Sequence, residues 1–422
     1  MHHHIGLLTR DTIALILAGG KGTRLKQLTE ERAKPVVPFG GKYKIIDFTL
    51  SNCMNSGIRR VNVLTHYKSS ELLAHVQKAW SRMPWELGEY VNVVPAQLLF
   101  DDLWYQGTAG AVYQNLKQLR KQNCEYVLIL GGDHIYKMDY SRMLRHHAKL
   151  NADISIASIP VASHTASAFG VLGIDADMKI REFQEKPSEP AEMLDQPGFS
   201  LVSMGVYIFN IDILEKLLLE DAASEDSQHD FGHNIIPKAI HDHCVTAYIF
   251  DNEGCADVQA YWKDVGTIDQ YFQANIDLLQ IDPELNLYDR HWPIYSFQEQ
   301  LPGAKFIFND DDCRGQSIDS VVSSGCIISG SKIENSLLFT RVTVEKYSHL
   351  THCVVLPNVR IGQDCKLHNV LITDDCVIPD NVRIGYDYEQ DKKYYEISEN
   401  GVIVVTQEMI DNFVILQLQH ND

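Results

Sequence analysis

Between Leu338 and Ile384 an aliphatic residue returns about every sixth position. Leu338, Val344, Leu350 and Leu356 are spaced by six; after slips of five, Ile361 and Leu367, and then Ile372, Ile378 and Ile384, resume the period. A sandwich would alternate every two residues, which sixes do not do. Hexads with one inward aliphatic each build a parallel β-helix, whose coils stack those side chains in a column. Residues 318–422 are therefore assigned to the repeat and a C-terminal end piece, in which Val402 to Val405 pair or pack. The stretch 282–317 carries Pro283, Pro293, Pro302 and the acidic Asp310 to Asp312, and reads as a linker.

The chain before it has another rhythm. From Ile13 to about Ile281, short apolar runs (Ile13 to Leu17, Val61 to Thr65, Tyr126 to Leu130, Ile154 to Ile159, Val171 to Ile174, Leu201 to Phe209, Val245 to Phe250) alternate with amphipathic ones. The latter include Glu71 to Trp80, Thr108 to Lys121, Ile211 to Glu220 and Ile268 to Leu279. This alternation predicts an α/β unit with a mostly parallel sheet covered on both faces, with ligands at the carboxyl ends of its strands. Residues 1–10 are a tail and 11–281 the unit. Two domains agree with 422 residues, more than one core usually holds.

Composition narrows the function. A net charge of −19 argues against nucleic acid or an anionic membrane as partner, so basic residues should be local and purposeful. No apolar run reaches membrane-span length, and no signal peptide is expected before Ile13. Nine scattered cysteines without a Cys-x-x-Cys pair suit reduced thiols in cytoplasm.

The most informative motif follows the first apolar run. Gly19, Gly20 and Gly22 allow a strand to turn with its N–H groups facing one concavity, and a helix starting near Leu25 would add its positive end. Lys21, Arg24 and Lys34 supply cations for a polyphosphate. Thr23 and Arg24 after Gly22 exclude a Walker A loop, and Leu25 breaks a Gly-x-Gly-x-x-Gly fingerprint. A tight turn without ligand remains the alternative for the glycines alone.

Further candidates lie at strand ends. Tyr126 to Leu130 runs into Gly131, Gly132 and Asp133, placing a carboxylate where it could hold Mg²⁺ against phosphates; Asp264, within Trp262-Lys263-Asp264, is a second. Each could instead serve as a helix cap. Trp104-Tyr105-Gln106-Gly107-Thr108 puts an aromatic pair before a glycine and a cap, as a base-contacting loop would. Lys186, between Glu185 and Pro187, could contact a sugar phosphate or sit in a solvated turn. His229 and His233 are four apart, but with no third ligand nearby they do not read as a metal site.

LAGGKGTRL, AKPVVPFGGKYKIIDFTLSNCMNSGIRR, WYQGTA, GDHIYKMDY, SAFGV, EFQEKP, SMGVYIF, HDFG, YWKDVGT and LYDRHWPI occur in that order. The series resembles the sugar-1-phosphate nucleotidyltransferases and, within them, the bacterial ADP-glucose pyrophosphorylase family (glucose-1-phosphate adenylyltransferases), from about Ile13 to Gly385. The resemblance implies a Rossmann-like nucleotidyltransferase domain followed by a left-handed parallel β-helix. It implies a Mg²⁺-dependent reaction of ATP with α-D-glucose 1-phosphate, giving ADP-glucose and diphosphate for glycogen synthesis. By the same resemblance Arg24 and Lys34 bind the triphosphate and departing diphosphate, with Gly19, Gly20, Gly22, Thr23 and Gly107 on the nucleotide. Asp133, with Asp264, carries Mg²⁺, and Tyr105 is near the adenine. Gly170, Glu185, Lys186, Ser203, Asp230 and Trp262 line the glucose 1-phosphate pocket.

The family also implies a homotetramer and an allosteric effector, a sugar phosphate or AMP. Here the sequence departs from the pattern. Glu31 and Pro38 stand where Lys and His are expected in the branch activated by fructose 1,6-bisphosphate, and Asp374 replaces an arginine associated with AMP inhibition. A carboxylate facing a phosphate repels it, so weak or altered activation and weak AMP inhibition are expected. Gly110 replaces an Asp often found after Gly-Thr-Ala, which leaves the base contacts open. The alternatives are a related transferase using another nucleotide or sugar, a bifunctional acetyltransferase included, and a non-catalytic regulatory subunit of the same fold.

Overall fold

The computed structural model describes residues 5–20, 22–66, 68–96, 107–251, 260–310 and 313–420. The chain divides into two compact units. One holds residues up to Gly20, Ile46–Trp262 and Arg290–Tyr295; the other holds 21–45, 263–289 and 296–422. The segments 21–45 and 263–289 thus cluster with the repeat, while Gly19 and Gly20 belong to the first unit.

The first unit is built on a nine-stranded sheet. Its strands are β1 (Thr12–Leu17), β2 (Arg60–Thr65), β3 (Tyr90–Pro95), β4 (Tyr126–Gly131), β5 (Ile154–Ala162), β6 (Gly170–Ile174), β7 (Ile180–Glu185), β8 (Phe199–Asn210) and β9 (Val245–Ile249). The order β7-β6-β8-β4-β1-β2-β3 is extended by β5, which pairs β8 and β9. β1 lies parallel between β2 and β4, and Ile13, Leu15 and Ile16 are fully buried, which accounts for its unbroken apolar run. β8 runs antiparallel to β4, β5 and β6, and β7 runs antiparallel to β6, so the mostly parallel arrangement is interrupted at two strands. Helices α1 (Gly107–Lys121) and α2 (Ile211–Ala222) pack on each other and bury apolar residues at three- and four-residue spacing: Val112, Leu116 and Leu119 on α1, and Ile211, Leu214, Leu217 and Leu218 on α2. Among the described residues no helix is long and apolar enough to cross a membrane.

The second unit is dominated by a three-sided parallel β-helix. One side stacks strands at Lys305–Ile307, Ile327–Ser329, Thr343–Val344, Arg360–Ile361 and Val377–Ile378, in parallel register. The other two begin at Gln316–Ile318 and Val321–Val322. The first coil strand therefore lies inside the stretch read as linker. Ile328, Val344, Ile361 and Ile378 form one interior column, and Ile333, Leu350, Leu367 and Ile384 another. The third column is Leu338, Val355, Ile372 and Val405. The column residue near position 356 is thus Val355; Leu356 is buried beside it. The five-residue slip falls before this position because His352 turns the corner one step early, at φ 55°. Corners recur at Asn335, Arg341, Tyr347, His352, Asn358, Asp364, Asn369, Asp375 and Asn381, all with positive φ. Asn and Asp tolerate this left-handed conformation best after glycine. Ile403–Val405 extends the third side in parallel with Val370–Ile372, and Glu396–Ile397 adds to it antiparallel.

Candidate active site

In the sheet unit, candidate residues gather at strand ends. β4 leaves the sheet through Gly131 and Gly132, and a Cβ on Gly132 would lie 2.9 Å from Ile16 Cγ2, so the chain passes there only as glycine. Asp133 follows, its side chain 32% exposed, with His134 Nε2 3.5 Å from Oδ1. The His134 ring meets Trp262 edge-on at 5.1 Å, and Trp262 meets Phe169 in the same way at 5.1 Å. His134 Nδ1 and Trp262 Nε1 are buried without a hydrogen-bond partner among the described residues. Buried polar atoms left unpaired cost free energy, so both are positions where a polar ligand would be favoured.

A second group forms a continuous wall. A side chain on Gly232 would run into the Glu185 carboxylate, and one on Gly170 would meet Glu185 Oε2 at 2.9 Å. Lys186 has φ 47°, donates its N–H to the Phe169 carbonyl at 3.0 Å and holds Nζ 3.4 Å from Glu185 Oε1. Asp230 caps the turn of helix after it, Oδ1 accepting from the N–H groups of Gly232 (2.9 Å) and His233 (3.0 Å). Its Oδ2 accepts from Thr108 Oγ1 at 3.0 Å. Gly107, at φ 65°, approaches the carbonyls of Gln228 and His229 so closely that no side chain fits. Ser203 Oγ donates to the Tyr207 hydroxyl at 3.4 Å, and burial pushes the Tyr207 phenol up, with the charges of Glu185 and Asp230 adding to it. The structure therefore brings Gly107, Gly170, Glu185, Lys186 and Asp230 into one neighbourhood, with Trp262 against Phe169, the residue before Gly170. Gly19 and Gly20 follow β1, and at Gly20 a Cβ would find nothing within 4 Å.

The second unit holds the cations. Gly22 has φ 60°, and a Cβ there would lie 3.0 Å from Lys34 Cβ and 3.1 Å from Thr29 Cγ2. Lys34, only 5% exposed, places Nζ 2.6 Å from Asp264 Oδ1. Arg24 Nη2 stands 3.6 Å from Asp264 Oδ2, with a side chain 63% exposed. Gly266 makes room for this: a Cβ there would touch Arg24 Nη2 at 2.8 Å. Thr23 opens a short 3₁₀ segment, Thr23–Thr29, broken at Lys26 (φ 45°, ψ −115°). No α-helix begins near Leu25, so a helix dipole does not add to the turn; the left-handed Gly22 and the bend at Lys26 prevent it. Asp133 and Asp264 are hard oxygen donors of the kind that suit a magnesium ion, although both Asp264 oxygens face cations of the protein itself.

The family model described as Nucleotidyl transferase matches residues 13–281, and that described as GlmU-like, C-terminal hexapeptide, matches 302–405. The glucose-1-phosphate adenylyltransferase of Methylococcus capsulatus is 50% identical over 402 residues, 95% of each chain. This chain belongs to the glucose-1-phosphate adenylyltransferase family of nucleotidyl transferases. The glucose-1-phosphate adenylyltransferases of Nitrosospira multiformis (49% over 406 residues, 96% of this chain and 95% of the relative) and Hydrogenovibrio crunogenus (50% over 404, 96% and 95%) are similarly close.

Tyr105, expected near the base, lies outside the described residues. The sequence motifs give no role to His134 or Phe169, and mark Thr108 only as a helix cap. His134 adjoins Asp133 in the motif, which was a usable signal; Phe169 matters through Trp262, 93 positions away, which no local pattern reveals.

Proposed function

We propose that this nucleotidyl transferase joins glucose 1-phosphate to the adenylyl group of ATP, releasing diphosphate and forming ADP-glucose. The observation that carries the reading is the nearly buried Lys34 behind the Gly22 turn, beside Arg24, in a chain of net charge −19. Lys34 and Arg24 both face Asp264, and two cations grouped in so acidic a chain suit a polyphosphate.

An ionised oxygen of the sugar phosphate attacks the α-phosphorus, and the bond to the bridging oxygen of the diphosphate breaks. The nucleophile needs no strong base, so the chain acts by alignment and charge compensation. Lys34 and Arg24 hold the triphosphate and neutralise charge growing on the diphosphate. Glu185, Lys186, Ser203, Asp230 and Trp262 orient the glucose 1-phosphate. A divalent cation, which we take to be Mg²⁺, would be held by Asp133, with Asp264 as the second candidate carboxylate, and would supply further charge stabilisation on the phosphates. We assign catalysis to 11–281 and a supporting role to 318–422, and infer a cytoplasmic homotetramer serving glycogen synthesis.

Diphosphate release measured with glucose 1-phosphate and ATP, UTP or dTTP tests the reading. ATP should be preferred at least about a hundredfold, the discrimination a hydrogen-bonded base site provides. Preference for UTP would replace the adenylyl assignment by the related-transferase alternative.

Regulation follows from one ion pair. Asp374 Oδ2 lies 2.6 Å from Arg32 Nη2, and both side chains are mostly buried. A carboxylate already neutralises Arg32 there, which supports a weak response to fructose 1,6-bisphosphate and AMP. Titrations of rate with each effector should give shallow curves; steep activation together with ordinary AMP inhibition would reject this part.

A further inference from the structure

Asp221, at the end of α2, is a buried carboxylate with two donors from the loop that follows. Ser227 Oγ donates to Oδ1 at 2.6 Å, and His229 Nδ1 lies 2.8 Å from Oδ2. A carboxylate only accepts, so His229 carries its proton on Nδ1. The arrangement is no nucleophile relay, because serine and histidine both serve the carboxylate and not each other's reactive atoms. Ser227 Oγ also accepts the His229 N–H at 3.0 Å, closing the loop on itself.

The closure fixes an unfavourable backbone. His229 has φ 53°, in the left-handed region that residues other than glycine seldom enter, although Asn, Asp and His do so more readily than most. In that conformation its carbonyl accepts from the N–H groups of Ala109 (2.8 Å) and Gly110 (3.3 Å) at the start of α1. Asp230 then reaches Thr108 of the same helix start, and Thr108 Oγ1 accepts the Phe231 N–H at 3.0 Å. The turn so formed ends at Gly232, against the Glu185 carboxylate.

We propose that His229, held by the buried Asp221, is a positioning residue that sets Asp230 and the Gly232 turn, and through them Glu185, for the sugar phosphate. The proposal rests on the reading that Glu185 and Asp230 line the glucose 1-phosphate pocket. His229 touches no reacting atom in it; it acts through the backbone it twists. The requirement is a donor at the Nδ1 position in a residue that accepts positive φ. Asparagine meets both conditions, because its amide nitrogen occupies the place of Nδ1, whereas leucine keeps bulk and loses both.

Steady-state kinetics of the full chain decide the matter. His229→Leu should raise the KM for glucose 1-phosphate about tenfold to a hundredfold, as small misplacements of positioning groups do, with a smaller change in the KM for ATP. His229→Asn should recover most of the loss. A His229→Leu protein that melts at a lower temperature but keeps its glucose 1-phosphate KM would overturn the proposal and leave the histidine a purely structural one. An Asn variant as impaired as the Leu variant would also overturn it, since the donor would then not be what matters. Glu185→Gln separates the two layers: if it leaves the glucose 1-phosphate KM unchanged, the pocket assignment fails; if it raises that KM while His229→Leu does not, the pocket stands and the brace falls.

Discussion

The two units bury polar side chains in different ways. In the β-helix, buried Ser336 donates to the Glu334 carbonyl at 2.6 Å and accepts the Cys353 N–H of the next coil at 3.0 Å; Ser348 does the same with Gly362 and Cys365. Each hydroxyl repeats one local task, and the interior columns are aliphatic. In the sheet unit the partners are distant and varied. His147 sits between Ser155 and Asn210, Asn52 serves the Tyr136 carbonyl, the Met138 N–H and Trp292, and Asp221 holds the loop at His229. Burial also pushes the His147 pKa down, which keeps that ring neutral. A repeat that satisfies its polar groups within a coil and its immediate neighbour can extend without specifying anything else. Networks spanning many residues fix particular strand ends, and strand ends are where the candidate site lies.

This contrast predicts a separation of activity from stability. Asp133→Ala should cut turnover by a factor of about a hundred to a thousand or more, as loss of one preorganised charged group does, while the thermal transition stays in place. Near-normal turnover would remove Asp133 from the metal site; an unfolded variant would show that the strand end is structural as well. Leu350→Ala in the second column should do the opposite. It removes a fully buried side chain packed between coils and should cost about 2–5 kcal/mol in denaturant titration, with the rate per folded molecule retained. A large fall in kcat at a temperature where that variant is folded would break the division of labour drawn here.

Legibility follows the same line. The hexads were readable because one inward aliphatic per side is all that a coil demands, and the apolar runs of β1 and β4 because both faces are covered. The phase error at Leu356 came from corners, which the sequence marks only through scattered Asn and Asp. At the site, Gly19 to Gly22, Asp133 and Glu185 stood out through local spacing. The pairing of Lys34 with Asp264 joins positions 230 apart, and the His134, Trp262 and Phe169 rings are likewise collected from separate segments. Local patterns report strand ends; they do not report which of them meet. The break at Lys26 was equally hidden, since Thr23-Arg24-Leu25 contains nothing against a helix.

The corners offer the smallest and cleanest test of the repeat. Asn381 is exposed, has φ 64°, and its backbone N–H donates to Gln363 O at 2.8 Å, with no side-chain hydrogen bond among the described residues. Its value to the fold should therefore lie in tolerance of the left-handed backbone. Alanine keeps the Cβ clash of this region but lacks the short polar side chain that lets Asn tolerate it, so Asn381→Ala should destabilise the β-helix by about 1 kcal/mol. Glycine relieves the clash but enlarges the freedom of the unfolded chain, and the two effects should cancel to within about 0.5 kcal/mol. Equal losses for both substitutions would mean that the Asn side chain itself holds the corner, and the contrast between a repeat satisfied by backbone geometry and a sheet satisfied by side-chain networks would narrow.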